Sequence, residues 1–455
     1  MSTQQLIEPR TLKGFRDYLP EIMIPRERLM ETARRVYRSY GFSPIDTPAL
    51  EYLEILSGKG SDETDRQMYR FEHGGRQVGM RFDLTIPLAR FAAQHIGKLG
   101  TPFKRYHIAP VWRGENTQAG RYREFVQCDF DTIGTESVAS DVETALVIHD
   151  LLQAIGIERF QVRINNRQIL NGLLEQLGLL DRSQAVLRAI DKLEKLGPDV
   201  VDEELQRVGE SSAGLSAQQA ASVLGLCKMD GDSSELLDQF EHALAGNVSG
   251  TAGVTRLRAI VDGLRSAGVS DDRYRVDVTI ARGLDYYTGV VFETLLQDLP
   301  SIGSVCSGGR YDNLAGGYTK QHLPGIGASL GLDRLIAAME QLNQLEKPKT
   351  TANVFVPFFD SERLNDYMKL CSVVRRGGYN VEFYPDSKKL GAQLKFADDR
   401  GFAVALVAGS EELNAGNCQV KNLRNKSSEV AHWSESPQPL LDAIAKILAP
   451  SSTPQ

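Results

Sequence analysis

Apolar residues recur at helical spacing near the start of the chain. Leu29, Ala33, Val36, Tyr37 and Tyr40 share one face of a helix predicted over about 26–40. Gly41 ends it, and the run 42–48 reads as a strand that stops at Pro48. Such a pair suits either a core or an interface. Strand-like runs continue to residue 163, among them 105–112 and 124–131. From about 166 to 268 the texture changes. Leu173, Leu177, Val186, Ile190, Leu193 and Leu196 keep helical spacing, aromatics nearly vanish, and Gly/Ser-rich breaks fall at 209–214 and 246–253. This pattern predicts a helical insertion. Strand patterns return at 274–280 and 290–296.

Residues 340–351 are polar and include Pro348, which marks a linker. Beyond it, strand patterns at 354–359, 380–384 and 402–408 alternate with helical ones at 363–376, 390–400 and 440–448. Alternation of this kind predicts a small α/β domain with a mostly parallel sheet. The expected organisation is therefore a first part of a core at 1–165, the insertion at 166–268 and a second part of the core at 269–339. The linker and a C-terminal domain at 352–450 follow, and 451–455 are expected to be a disordered tail.

A chain of 455 residues is too long for one ordinary core, which agrees with this division. No apolar run approaches the roughly 18 residues that span a bilayer, and the first residues carry no apolar signal core. The five cysteines, at 128, 227, 306, 371 and 418, have no CxxC spacing. That pattern argues against a disulfide framework or a zinc site and fits a reducing compartment. The net charge of −7 does not point to nucleic acid, but binding depends on local basic patches rather than on the total.

The densest chemistry lies in 113–131. Arginines stand at both feet of a loop between two strands, with five Lys/Arg and one carboxylate, Glu115, between Lys104 and Arg123. Guanidinium forks grip phosphate oxygens in pairs, and Phe125 is placed to stack on a base. Gln127 and Asp131 return polar groups to the same place. A charged surface hairpin fits the same pattern. Around Arg282, an arginine, Asp285, Tyr286 and Tyr287 precede a strand, with Gly283 and Gly289 for close backbone approach. A strand-entry turn is the plain alternative. Gly308 and Gly309 precede Arg310 and Tyr311. Gly325, Gly327 and Gly331 precede Arg334, but the GxGxxxG spacing excludes a dinucleotide fingerprint. Asp83 and Thr85 suit either an ammonium group or a helix cap.

Taken together, these peptides resemble those of the histidyl-tRNA synthetases, a family of class II aminoacyl-tRNA synthetases. The helix and strand to Pro48 look like the first class motif. Arg113, Glu115, Arg121 and Phe125 match the second, and Gly325–Arg334 matches the third. The peptides at 282–288 and 306–312 resemble the two that mark the histidine family. The resemblance runs from about Leu12 to Leu448. Asp333 departs from it, standing where the class commonly has Glu.

The resemblance implies an α+β catalytic domain with an antiparallel sheet of the class II synthetase type, the helical insertion, and a C-terminal α/β anticodon-binding domain. It implies a cytoplasmic homodimer paired through roughly 26–50. The implied reaction joins L-histidine to tRNA(His) through a histidyl-adenylate, with ATP and Mg2+ as substrate complex and no tightly bound cofactor or protein metal site. Arg113 and Arg282 are implied to stabilise the α-phosphate. Arg113, Glu115, Arg121, Phe125 and Arg334 would hold ATP. Asp83, Thr85 and Gln127 would take the ammonium end of histidine, and Asp131, Tyr286 and Tyr287 the imidazole end. Gln118 and Arg123 would meet the tRNA acceptor end. Lys388, Lys389, Lys395 and Arg400 would serve the anticodon, or form a solvated helix face. Two other readings are a regulatory paralogue in histidine biosynthesis and a class II synthetase for another amino acid.

Overall fold

The computed structural model describes residues 6–57, 62–209, 212–280 and 286–449. The chain divides into two units, Arg28–Leu345 with the residues up to Arg16, and Glu346 onward with Asp17–Glu27. In chain order the strands of the first unit are β1 (Ser43–Pro44), β2 (Leu50–Tyr52), β3 (Arg70–His73), β4 (Arg76–Met80), β5 (Phe103–Trp112) and β6 (Glu124–Ile133). They continue with β7 (Phe160–Asn166), β8 (Tyr274–Val276), β9 (Val290–Leu296), β10 (Cys306–Tyr311) and β11 (Gly325–Gly331).

Eight of these form one sheet in the order β1-β5-β6-β11-β10-β9-β7-β8. The interior pairs are antiparallel, while β1 with β5 and β7 with β8 at the edges are parallel. The sheet is therefore mixed, with an antiparallel centre. Strands β7 and β8 are neighbours, yet the helical stretch lies between them in sequence. From Arg167 to Ser266 the described residues hold helices and no strand.

Side chains alternate across the pleat, and the two faces of β5 and β6 differ in chemistry. On the back, Tyr106, Cys128 and Phe130 are buried. Tyr37 of the helix Pro20–Ser39 packs there, its ring 5.1 Å from Phe130, and donates a 2.8 Å hydrogen bond to the Cys128 carbonyl. On the front, Arg105 stands opposite Asp131, His107 opposite Asp129 and Ala109 opposite Gln127. A polar row inside a sheet needs partners or a ligand.

Three sequence expectations change. The first helix begins at Pro20, six residues before position 26, and carries Pro25 within it. Of 42–48 only Ser43–Pro44 pairs, because prolines at 44 and 48 lack the donors that a longer ladder needs. Pairing at 274–280 stops at Val276, where the Asp277 side chain accepts from the Thr279 N–H and turns the chain.

The second unit has strands β12 (Val354–Val356), β13 (Val381–Phe383), β14 (Val404–Val407), β15 (Asn417–Asn422) and β16 (Ser428–His432), in the order β13-β12-β14-β15-β16. Only β12 with β13 and with β14 are parallel pairs; β14, β15 and β16 are antiparallel. The sheet is thus not mostly parallel. The hairpin β15–β16 is mostly polar, with only Cys418, Val420 and Ala431 buried, so it lacks the apolar run of a buried strand.

Candidate active site

The polar front of the eight-stranded sheet floors a cavity of about 1030 Å³. Arg113, Glu115, Arg121, Phe125, Gln127 and Asp131 of the hairpin line it. Asp83, Thr85, Gln118, Tyr287 and Arg334 line it too. Residues far apart in sequence are brought together because β6, β11 and β10 are neighbours. Two predicted residues do not line it, Tyr286 and Arg123. Arg282 lies outside the described residues.

At one end, Asp83 is buried just before the helix Thr85–Leu99. Its Oδ1 accepts from the Ile86 N–H at 3.0 Å, which caps the helix, and its Oδ2 accepts from the Tyr286 hydroxyl at 3.3 Å. The helix-end reading of Asp83 is thus observed, and Tyr286 stands behind it rather than in the wall. Burial pushes the Asp83 carboxyl up, while the Ile86 N–H and Arg113 pull it down. Gln127 donates 3.0 Å to the Ser329 hydroxyl. Its Oε1 is buried with no partner among the described residues, an acceptor left for a ligand.

Deeper in the floor, Asp131 Oδ1 accepts from the Tyr311 hydroxyl at 2.5 Å, and its Oδ2 lies 2.7 Å from Arg105. Asp129 is 3.9 Å from the same guanidinium. Burial raises both carboxyls, Asp129 to about 7, and Arg105 opposes this at each. Asp131 has the nearer cation and the phenol donor, so it carries the charge of the pair. Burial also holds Tyr287 and Tyr311 protonated, as donors.

Beside the Asp83 segment, Arg113 Nε donates 2.9 Å to the Phe82 carbonyl, and its guanidinium lies 5.1 Å from the Phe125 ring. Arg121 approaches Glu115 at 4.0 Å. The loop tip is closed by paired backbone bonds between Gln118 and Arg121. Arg334 donates 2.5 Å to the Ser304 carbonyl, and burial lowers its affinity for protons, with Arg121 adding to the effect. Asp333 is buried; it accepts 2.9 Å from the Val126 N–H and 3.0 Å from Arg16, tying the helix Leu332–Gln341 to β6. Arg123 instead spends its guanidinium on the carbonyls of Glu115 and Lys13, both at 3.3 Å.

This floor presents carboxylates and an amide acceptor at one end and guanidinium groups at the other. The first suits an amino acid with a polar side chain, and the second suits phosphates. A family model described as histidyl-tRNA synthetase matches residues 14–335, and one described as an anticodon binding domain matches 353–442. The chain belongs to the histidyl-tRNA synthetase family. A histidine–tRNA ligase of Rhodopirellula baltica is 63% identical over 441 residues, 96% of this chain and 99% of that protein. One of Wolinella succinogenes is 45% identical over 427 residues, 93% of this chain and 96% of that protein. The crystal structure of histidyl-tRNA synthetase from Nostoc sp. PCC 7120 is 34% identical, with a TM-score of 0.88 over 97% of this chain and 100% of that one. A Bacillus halodurans structure described as an ATP phosphoribosyltransferase regulatory subunit/histidyl-tRNA synthetase shares the fold, with a TM-score of 0.74 and 22% identity.

Several pocket residues were given no site role from sequence. Asp129 follows Gln127 by the strand period of two and was findable that way. Tyr311 and Ser329 reach the pocket through the pairing of β10, β11 and β6. Asp191, Glu194 and Lys195 of the helical stretch also line the wall. Nothing in their local sequence signals this. Arg310, beside the paired glycines, points elsewhere, into a buried cluster with Asp141 at 2.8 Å and Ser140 at 3.0 Å.

Proposed function

We propose that histidine and ATP meet end to end in this cavity. The reaction is that of the family. L-histidine is joined to tRNA(His) in an ATP-dependent ligation that passes through histidyl-adenylate and releases pyrophosphate and AMP. Relatives up to 63% identical over nearly the whole chain are histidine–tRNA ligases, so the regulatory reading is not favoured. The single observation that carries the site assignment is the unspent Gln127 acceptor beside the charged floor of Asp83 and Asp131.

Histidine's ammonium group sits among Asp83, Thr85 and Gln127. Its imidazole donates to Asp131, with Tyr287 along the ring and Tyr286 fixing Asp83. Buried acceptors aimed at an N–H reject ligands that lack it. The carboxylate then faces Arg113. A carboxylate oxygen attacks the α-phosphorus, and pyrophosphate leaves. Phe125 lies under the adenine, Glu115 takes its edge, and Arg121 and Arg334 hold the distal phosphates. ATP brings Mg2+ on its phosphates. Arg282 is assigned to the α-phosphate with Arg113. In the second step a hydroxyl of the terminal tRNA ribose attacks the acyl carbon, and AMP leaves.

Residues 166–268 are assigned as an insertion, 340–351 as a linker, and 352–450 as the part that reads the anticodon. Lys388, Lys389 and Lys395 are exposed there, which supports phosphate contact. No helix among the described residues is long and apolar enough to cross a membrane. We place the protein in the cytoplasm.

Pyrophosphate exchange, run with each amino acid in turn, tests this reading. Exchange with histidine alone is expected, and exchange with none would sink it. The Gln118→Ala variant should keep exchange in this assay and lose tRNA charging in a separate aminoacylation assay. Equal loss of both would remove Gln118 from the acceptor end. Arg123, held by two carbonyls, is the weaker partner there.

A homodimer is proposed through 26–50 and the adjoining sheet β2-β4-β3. Tyr52, Val78 and Phe71 lie opposite one another, with Tyr52 49% and Phe71 44% exposed. An apolar row of that kind marks an interface. The wild type should sediment at twice the chain mass of 50.3 kDa, and Tyr52→Asp/Phe71→Asp as a monomer. A dimeric double variant would rule this face out.

A further inference from the structure

Arg105 has no solvent exposure. It stands on β5 directly opposite Asp131 of β6, with Nη2 2.7 Å from Asp131 and 3.9 Å from Asp129. The same nitrogen donates 3.3 Å to the carbonyl of Leu84, the residue between Asp83 and Thr85. One guanidinium thus touches the backbone at the ammonium end of the pocket and the carboxylate at the imidazole end. Its Nε and Nη1 have no hydrogen-bond partner among the described residues. A buried cation with unspent donors is poor support for a fold, since a well-packed apolar residue often serves as well or better. Its presence here calls for a use of the charge.

We infer that Arg105 is a positioning residue for histidine, which keeps Asp131 charged and aimed and sets the Asp83–Thr85 segment at a fixed distance from it. This rests on the assignment of Asp131 to the imidazole end. The groups facing the two aspartates are Arg105 and His107 from β5, Ser329 from β11, Tyr311 from β10, and Asp83 and Tyr287 from the flanking segments. Burial pushes the His107 imidazole down to about 3, so it stays neutral. Arg81 also acts on Asp129, from farther away, so among the described residues Arg105 is the cation in direct contact with the pair. Burial raises both carboxyls, so without the cation each would hold its proton to a higher pH. A protonated Asp131 loses its charge and is a poorer acceptor for an imidazole N–H.

The sign of the pH effect follows. Weakening the cation raises the pH at which Asp131 ionises. Histidine binding then suffers at low pH and recovers as the pH rises. ATP binding has no such dependence on this carboxylate.

The test is pyrophosphate exchange by full-length Arg105→Lys between about pH 6 and 9, varying histidine and ATP separately. Lysine keeps the charge but not the fork, so KM for histidine should rise by roughly tenfold at neutral pH with KM for ATP nearly unchanged. The defect should shrink toward the alkaline end. An equal rise in both KM values, or a defect that ignores pH, would reduce Arg105 to a structural role and overturn the inference. Should Arg105→Lys fail to fold, Arg105→Met/Asp131→Asn removes both charges together. Its KM for histidine should then match that of Asp131→Asn alone, and a further loss overturns the inference. Asp131→Asn by itself tests the underlying assignment. If its KM for histidine stays normal, the imidazole assignment fails. If it rises while Arg105→Lys shows no shift with pH, the inference alone fails.

Discussion

Replacing Arg113 with alanine is expected to lower the maximal rate of pyrophosphate exchange by about a thousandfold while the fold survives. The side chain anchors itself through Nε alone, to the Phe82 carbonyl. Its two terminal nitrogens have no protein partner among the described residues, although the residue lines the cavity. Two parallel donors on a fixed arm suit a phosphate whose charge grows in the transition state. A thousandfold is about 4 kcal/mol, the usual loss when one preorganised donor is removed from such a site. The loss should fall on the maximal rate more than on KM for ATP, because the contact strengthens only as the pentacoordinate phosphorus forms. Arg113→Lys should lie between the two, keeping the charge without the fork. A rate for Arg113→Ala within tenfold of wild type would remove Arg113 from the chemistry.

How much of this was readable from sequence depends on the range of the contact. Helix and strand patterns are local, and the hairpin around 113–131 was legible for that reason. So were Gln127 and Asp131, two positions on one strand face. Arg105 was not. In sequence it is one more basic residue beside the loop, and it reads as part of a phosphate grip. Its meaning depends on the β5–β6 register, which sets it against Asp131 and buries it completely. Tyr311 and Ser329 needed two further strand pairings. The approach of Asp191, Glu194 and Lys195 to the cavity depends on how a separate helical stretch docks, which no local pattern records. The polar hairpin β15–β16 was missed for a different reason. Antiparallel strands with one wet face lack the continuous apolar run that marks a buried strand.

The glycines of the pocket floor yield the last large effect, and it is steric. Gly327→Ala should damage histidine binding and stability together. A Cβ there would sit 2.2 Å from Asp131 Oδ1, 2.4 Å from its Cγ and 2.4 Å from the Phe130 carbonyl oxygen. On its other side the strand is hydrogen-bonded to β10, where the approach is as close: a Cβ on Gly308 would lie 2.2 Å from the Gly327 carbonyl oxygen. Strands β6, β11 and β10 are thus packed with no slack at the pocket floor. Asp131 is pinned in turn by Arg105 and Tyr311, so the added methyl must break one of those contacts or spread the sheet. Overpacking of this kind costs about 1–3 kcal/mol, so the melting temperature should fall. KM for histidine should rise sharply and KM for ATP little, since the guanidinium end lies farther along the same floor. Gly225→Ala is the control. It sits inside the helix Ala217–Cys227 with nothing within 4 Å of the new methyl, and should stabilise slightly without touching the kinetics. Normal KM values and an unchanged melting temperature for Gly327→Ala would mean that the sheet yields and that Asp131 is not held as tightly as the histidine end of the pocket requires.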